Sequence, residues 1–299
     1  MSRVPAGVRQ AVEAALGERL GRAARVTGDA PVGGGCISPA ARLELADGDV
    51  AFLKWGTAGT PPGLFAAEAE SLAALRAARA LPVPEVLAVA GDAPGWILLE
   101  WLEPGAPPRG GAQELGRGLA ALHAVRAPRF GWPRDNFIGS LPQENAWADD
   151  WPGFWRARRL EPQLGRAYAA GHFPAPERRR FDALLEALPD RLAGWEQDGA
   201  SLVHGDLWGG NVHMTAAGAA LIDPAAYHGQ REVDLAMSQL FGGFDAAFYH
   251  AYREAWPLQP GYEPLRRAVY QLYYLLVHVN LFGGGYGRQA LAALATAGF

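Results

Sequence analysis

Lys54 closes the apolar run Val50-Ala51-Phe52-Leu53, a setting in which a charge is costly unless a partner compensates it. It is also the only lysine. Of 27 Lys and Arg residues, the other 26 are arginine. A composition rich in Ala, Gly and Arg explains the scarcity through coding bias but leaves the location unexplained. A compact ammonium on a flexible stem does what a planar guanidinium cannot. Residues 65 to 78 read as a helix with Phe65, Leu72 and Leu75 on one face, and Glu68 falls on that same face. The apolar strand and the apolar helix face each carry one misplaced charge. The chain has to fold so that the two meet, or leave both unpaired.

The rest of the N-terminal third is consistent with a small sheet. Residues 6 to 20 read as a helix with Val8, Val12, Ala15, Leu16 and Leu20 on one side. The loop Gly33-Gly34-Gly35-Cys36-Ile37-Ser38 leads into the alternating segment Arg42-Leu43-Glu44-Leu45. The turn Asp47-Gly48-Asp49 then returns the chain along Val50 to Lys54 as a hairpin. Residues 81 to 90 are extended and lead to a strand, and Trp96 to Trp101 forms another. Helical patterns dominate beyond residue 111, over 111–124, 153–170, 177–197, 232–256 and 263–281. The plan is α+β. The Pro-rich stretch Glu103-Pro104-Gly105-Ala106-Pro107-Pro108 breaks both helix and strand, which predicts an N-terminal unit over 1–102 and a C-terminal unit over 103–299.

Several classes of function are disfavoured by composition. With 299 residues and 49% hydrophobic content the chain can build a large core. A net charge of −4 and the absence of a basic block argue against a nucleic-acid partner. No run of about 18 apolar residues suggests a membrane span, and the start leads into an amphipathic segment, not an apolar signal core. A single cysteine, Cys36, cannot form an internal disulfide. The expectation is a cytoplasmic protein.

The most informative stretch is Leu202-Val203-His204-Gly205-Asp206-Leu207-Trp208-Gly209-Gly210-Asn211-Val212, followed by Ala219-Ala220-Leu221-Ile222-Asp223-Pro224. Residues 212–214 and 219–222 read as a hairpin about residue 217, which sets Asn211 across from Asp223. Asp206 lies one tight loop earlier. Two carboxylates and a carboxamide at one hairpin end suit a hard divalent cation such as Mg²⁺, which keeps some waters and bridges phosphates. Taken singly, these features are bland. A Gly-Gly-Gly loop is usually only a loop, Lys54 with Glu68 could be structural, and His204 reads as a hydrogen-bonded core histidine. Their combination in this order is far more specific.

The spacing His-Gly-Asp, four residues, Asn, then a short strand to Asp resembles the catalytic loop and metal-binding Asp of kinase-type phosphotransferases. The whole pattern is similar to the aminoglycoside-phosphotransferase-like kinases with their two-lobed protein-kinase-like fold, and within them to the fructosamine-3-kinase (ketosamine kinase) family. Residues carrying the resemblance include Gly33 to Ser38, Asn136-Phe137-Ile138-Gly139, Asp149-Asp150-Trp151-Pro152, Arg159-Leu160, His204 to Asn211, Asp223-Pro224-Ala225, Glu232-Val233-Asp234-Leu235-Ala236 and His278 to Gly283.

The resemblance implies ATP-dependent phosphorylation of the sugar 3-hydroxyl of a ketosamine, borne by a small amine or a protein lysine, and so a role in deglycation. Asp206 would accept the hydroxyl proton. Asn211 and Asp223 would hold Mg²⁺, and Gly33, Gly34 and Gly35 would cover the nucleotide phosphates. Lys54, paired with Glu68, would bind the α- and β-phosphates, and the backbone of Glu100 and Leu102 would hold adenine. Trp208 and His278 would line the substrate pocket, with core packing as the rival reading of each. For Cys36 the plain reading is a small apolar residue beneath the phosphates, and the resemblance adds an oxidative link between two chains. The alternatives are an aminoglycoside or choline kinase on the same fold, and a nucleotide-binding module without catalysis. No catalytic element is degraded, which argues against the last.

Overall fold

The computed structural model describes residues 4–33, 38–92 and 95–299. The expected first helix forms as α1 (Ala6–Leu20), burying Val8, Val12 and Leu16. Leu20, expected on the same side, is exposed. It is the last helical residue, and Gly21 in the left-handed conformation (φ 66°) ends the helix immediately after it.

Five strands form one antiparallel sheet: β1 (Val26–Val32), β2 (Ala40–Leu45), β3 (Val50–Trp55), β4 (Val86–Ala90) and β5 (Trp96–Glu100), in the order β1-β2-β3-β5-β4. β1 has no clear signal in the sequence because Gly28, Asp29 and Pro31 interrupt it. As an edge strand it tolerates all three. The period of two along each strand sorts side chains between two cores. Leu43, Ala51, Leu53, Trp96 and Leu98 pack with α1. Ile97 and Leu99 face the other way, onto Phe65, Leu72 and Leu75 of α2 (Leu64–Ala78). Fully burying one such leucine is worth about 1.5–3 kcal/mol, so a one-residue slip of β5 would lose several of these contributions together. The same alternation places Phe52 and Lys54 on the α2 side of β3.

The larger core continues from α2 and β5 into the helices beyond residue 111, beginning with α3 (Gly111–His123). The helical run expected over 153–170 starts at Trp151, where the Asp150 side chain accepts the Gly153 N–H at 2.7 Å, and runs to Ala169 through a wide π-type turn at Arg156–Leu160. The run expected over 177–197 is a helix Ala175–Arg191 and a short turn Trp195–Asp198, separated by Gly194 at φ 89°.

The helix expected over 232–256 is two helices, Glu232–Ser238 and Ala246–Ala255. Gly242 and Gly243, with φ of 75° and 97°, break it, and Asp245 caps the second piece by accepting from Phe248 N–H at 3.0 Å. The helix expected over 263–281 runs Arg267–Phe282, and after three glycines a helix not foreseen from the sequence, Tyr286–Thr296, completes the core with Ala290 and Leu294. Among the described residues no helix is long and apolar enough to cross a membrane.

Candidate active site

The Lys54 ammonium donates to Glu68 Oε1 at 2.7 Å and also contacts Asp223 Oδ1. Burial disfavours the charged amine, but the carboxylates of Asp223 and Glu68 outweigh it and raise the Lys54 pKa, so the ammonium stays protonated. A residue of the small sheet is thereby tied to α2 and, across 169 positions, to the loop after the C-terminal hairpin.

That hairpin pairs Val212–Thr215 with Gly218–Leu221, with Val212 opposite Leu221 and Thr215 opposite Gly218. The centre lies half a residue from the expected position. Asn211 therefore faces Ile222, whose N–H donates to the Asn211 carbonyl at 3.1 Å, and does not face Asp223. The carboxylate still reaches Lys54 from two residues beyond the strand, where Asp223 adopts a left-handed backbone conformation (φ 55°). Asn211 Nδ2 donates to Asp206 O at 2.8 Å, Asp206 Oδ2 at 3.1 Å and Asp223 O at 3.4 Å. One carboxamide thus holds both acidic residues, while its own Oδ1 makes no hydrogen bond among the described residues. Burial pushes the Asp206 carboxyl up to about 7, with Asp223 and Asp234 adding to it and the Asn211 hydrogen bond opposing.

Beneath the loop lies a support that the sequence reading did not assign. Asp234, fully buried on the helix Glu232–Ser238, accepts the His204 N–H at 2.7 Å and the Gly205 N–H at 2.9 Å. Its Oδ2 also accepts from His123 Nε2 at 3.0 Å, and His123 Nδ1 meets Tyr252 Oη at 2.8 Å. His204 is structural as expected: Nε2–H donates to Ile222 O at 2.9 Å and Nδ1 accepts the Asp206 N–H at 3.2 Å. In the sequence Asp234 stands out only as an acidic residue beside Val233, Leu235 and Ala236, in a stretch that carries the family resemblance but no assigned role.

A second buried network steadies the residues after Asp223. Asn136 Nδ2 donates to Ala226 O and Gln143 Nε2 to Ala225 O. Asn136 Oδ1 accepts from both Gln143 and Asn145 at 2.8 Å. The fully buried Arg159 donates to Asn145 Oδ1 at 2.8 Å, its guanidinium 4.0 Å from the Tyr227 ring centre.

These elements enclose a cavity of about 710 Å³. Every expected site residue within the described chain lines it: Gly33, Lys54, Glu68, Glu100, Leu102, Asp206, Trp208, Asn211, Asp223 and His278. Gly34, Gly35 and Cys36, and with them the oxidative link, lie outside the described residues. His278 is packed by Phe241, Phe282 and Tyr286, and its Nδ1–H donates to Tyr274 O at 2.8 Å, leaving Nε2 as an acceptor. Phe137 and Gly139 line the same cavity from the hairpin Asn136–Ile138 with Leu141–Gln143.

A small antiparallel sheet with a helix on each face, a larger helical region and a cleft lined by Lys54, Glu68, Asp206, Asn211 and Asp223 make up a fold of the protein-kinase-like, aminoglycoside-phosphotransferase type. The crystal structure of a macrolide 2'-phosphotransferase from Brachybacterium faecium shares the fold, with TM-score 0.57 and 20% identity over 95% of this chain and 98% of that one. More narrowly, residues 8–297 match the fructosamine kinase family model, and the chain belongs to that family. A structure from Thermobifida fusca provisionally titled fructosamine-3-kinase superposes with TM-score 0.85 and 36% identity, covering 96% of this chain and 98% of its own. A Synechocystis protein provisionally named a ketoamine kinase is 39% identical over 285 residues, 94% of each chain. Membership in a kinase family carries ATP use with it.

Proposed function

We propose that the chain transfers the γ-phosphoryl group of ATP to the sugar 3-hydroxyl of a ketosamine, whose phosphorylated form then sheds the amine. The observation that carries this reading is the convergence of Lys54, Glu68, Asp206, Asn211 and Asp223 on one cavity, with Trp208 and His278 lining it too. In this reading Gly33 and the glycines beside it cover the phosphates, and Lys54, held by Glu68, contacts the α- and β-phosphates. The backbone at Glu100 and Leu102 holds adenine. Asp206 accepts the hydroxyl proton, and its carboxyl near 7 suits a base working at neutral pH. Trp208 offers a flat face to the sugar ring and His278 Nε2 accepts from a hydroxyl. Catalysis is then mainly positioning and charge stabilisation.

Mg²⁺ fits the donor set. Asn211 Oδ1 makes no hydrogen bond among the described residues and Asp223 lines the same cavity, so the two offer hard oxygen ligands to an ion that also takes phosphate and water. Among the described residues no cluster of three or more His, Cys, Asp and Glu could hold a metal unaided, in keeping with an ion that arrives with its nucleotide. When bound, the ion would neutralise charge developing on the phosphates. The proposed division into 1–102 and 103–299 is supported by the five-stranded sheet lying wholly before residue 103, and the proposed site of action is the cytoplasm.

The test is ATP consumption with ribulosyl-lysine, fructosyl-lysine, kanamycin and choline as acceptors, with the lysine adducts presented both free and on a protein. Turnover confined to one or both lysine adducts supports the proposal. Turnover with kanamycin or choline alone overturns it.

A further inference from the structure

His213 belongs to none of the roles above, yet it lines the cavity. It sits on the strand Val212–Thr215, two residues after Asn211, and its Nε2–H donates to the backbone carbonyl of Leu102 at 2.9 Å, across 111 positions. The contact belongs to a short seam. Gly105 N–H donates to Met214 O at 3.0 Å, and a Cβ at Gly105 would lie 2.7 Å from Ala216 N, so glycine is required for the segment after Leu102 to lie this close to the hairpin. The seam joins the proposed base-binding segment to the hairpin carrying the proposed metal ligand.

The hydrogen bond also decides what Leu102 can offer a purine. Among the described residues the Leu102 N–H has no protein acceptor, whereas its carbonyl is already engaged by His213. Adenine presents an acceptor at N1, which a free N–H satisfies. Guanine presents O6 as acceptor but places N1–H and N2–H donors beside it, and these need a neighbouring carbonyl. With one lone pair of that carbonyl already taken by His213, guanine donors here have to share the oxygen with the imidazole N–H, and a buried donor left poorly paired is costly. A site that withholds one hydrogen-bond partner discriminates more sharply than one that only trims shape.

We propose that His213 is a specificity-determining residue that selects adenine over guanine nucleotides by occupying the Leu102 carbonyl. The inference rests on the reading of this cavity as a nucleotide site. His213 acts through Leu102 and is not a catalytic residue. His213→Ala frees the carbonyl while leaving the Gly105–Met214 bond to hold the backbone, and His213→Gln keeps a side-chain N–H that can reach it.

The experiment is calorimetric titration of the full chain with Mg²⁺ and non-hydrolysable ATP and GTP analogues, so that no acceptor substrate enters. Wild type should favour the adenine analogue. In His213→Ala that preference should fall about tenfold, chiefly through a gain for the guanine analogue, and His213→Gln should remain near wild type. An unchanged ratio in His213→Ala, or an equal loss for both nucleotides, overturns the proposal. Failure of wild type to bind either analogue removes the nucleotide-site reading itself, a result distinct from either of these.

Discussion

Asp234 Oδ2 accepts the backbone N–H of His204 at 2.7 Å, and its Oδ1 accepts that of Gly205 at 2.9 Å. A carboxylate outside the cavity lining thus dictates the path of the chain immediately before Asp206. Asp234→Ala would leave these two donors and His123 Nε2 without their acceptor in a fully buried place. The expected cost is about 3–5 kcal/mol, read as a lowered urea midpoint. Asp234→Asn keeps one acceptor and should be milder in stability, yet still lower kcat more than it raises KM for ATP. Unaltered stability in the alanine variant would show that the loop holds its shape by other means.

Lys54 contacts both Glu68 and Asp223. Lys54→Arg preserves charge but replaces a point donor with a fork too wide for the same two oxygens. ATP kcat/KM should drop by at least about tenfold, and Lys54→Met by about a thousandfold, in steady-state assays with saturating ketosamine. Near-normal rates for the arginine variant would remove the geometric reason for a lysine here.

Asp206→Asn keeps the size of the side chain and removes the proposed proton acceptor. Turnover should fall by about 10²- to 10⁴-fold while the affinity for a non-hydrolysable ATP analogue changes little. If nucleotide affinity collapsed alongside the rate, Asp206 would have to be reassigned to binding.

His228 is packed between Trp132 and Trp147, with ring centres 5.5 and 6.3 Å away. Burial lowers its pKa to about 4. The folded value lies below the ordinary one near 6.5, so on acidification the unfolded chain takes up the proton first. The stabilisation from keeping this ring neutral is complete above about pH 6.5 and is lost as pH falls from there to about 4. His123 and His204 are also buried and lowered, so the contribution of His228 is isolated by difference. His228→Phe should show a shallower loss of urea midpoint across that window, and parallel curves would contradict the assignment.

What the sequence by itself determined is what neighbouring residues impose on one another. The apolar spacing marks α1 and α2, alternation and the Asp47-Gly48-Asp49 turn mark β2 and β3, and the order Lys54, Glu68, Asp206, Asn211, Asp223 marks the site. Where local signals conflict or vanish, the reading erred. β1 is masked by Gly28, Asp29 and Pro31, Gly242 and Gly243 divide a stretch that reads as one helix, and the hairpin register settles half a residue from the centre expected at residue 217. Only the tertiary structure decided that Asp234 supports the His204 loop, that Arg159 and Asn136 hold the backbone after Asp223, and that His213 meets Leu102. Each of these contacts joins segments far apart in the chain. A polar side chain destined for such a partner carries the same local signal as one destined for water, and only packing distinguishes them, by making the missing hydrogen bond expensive.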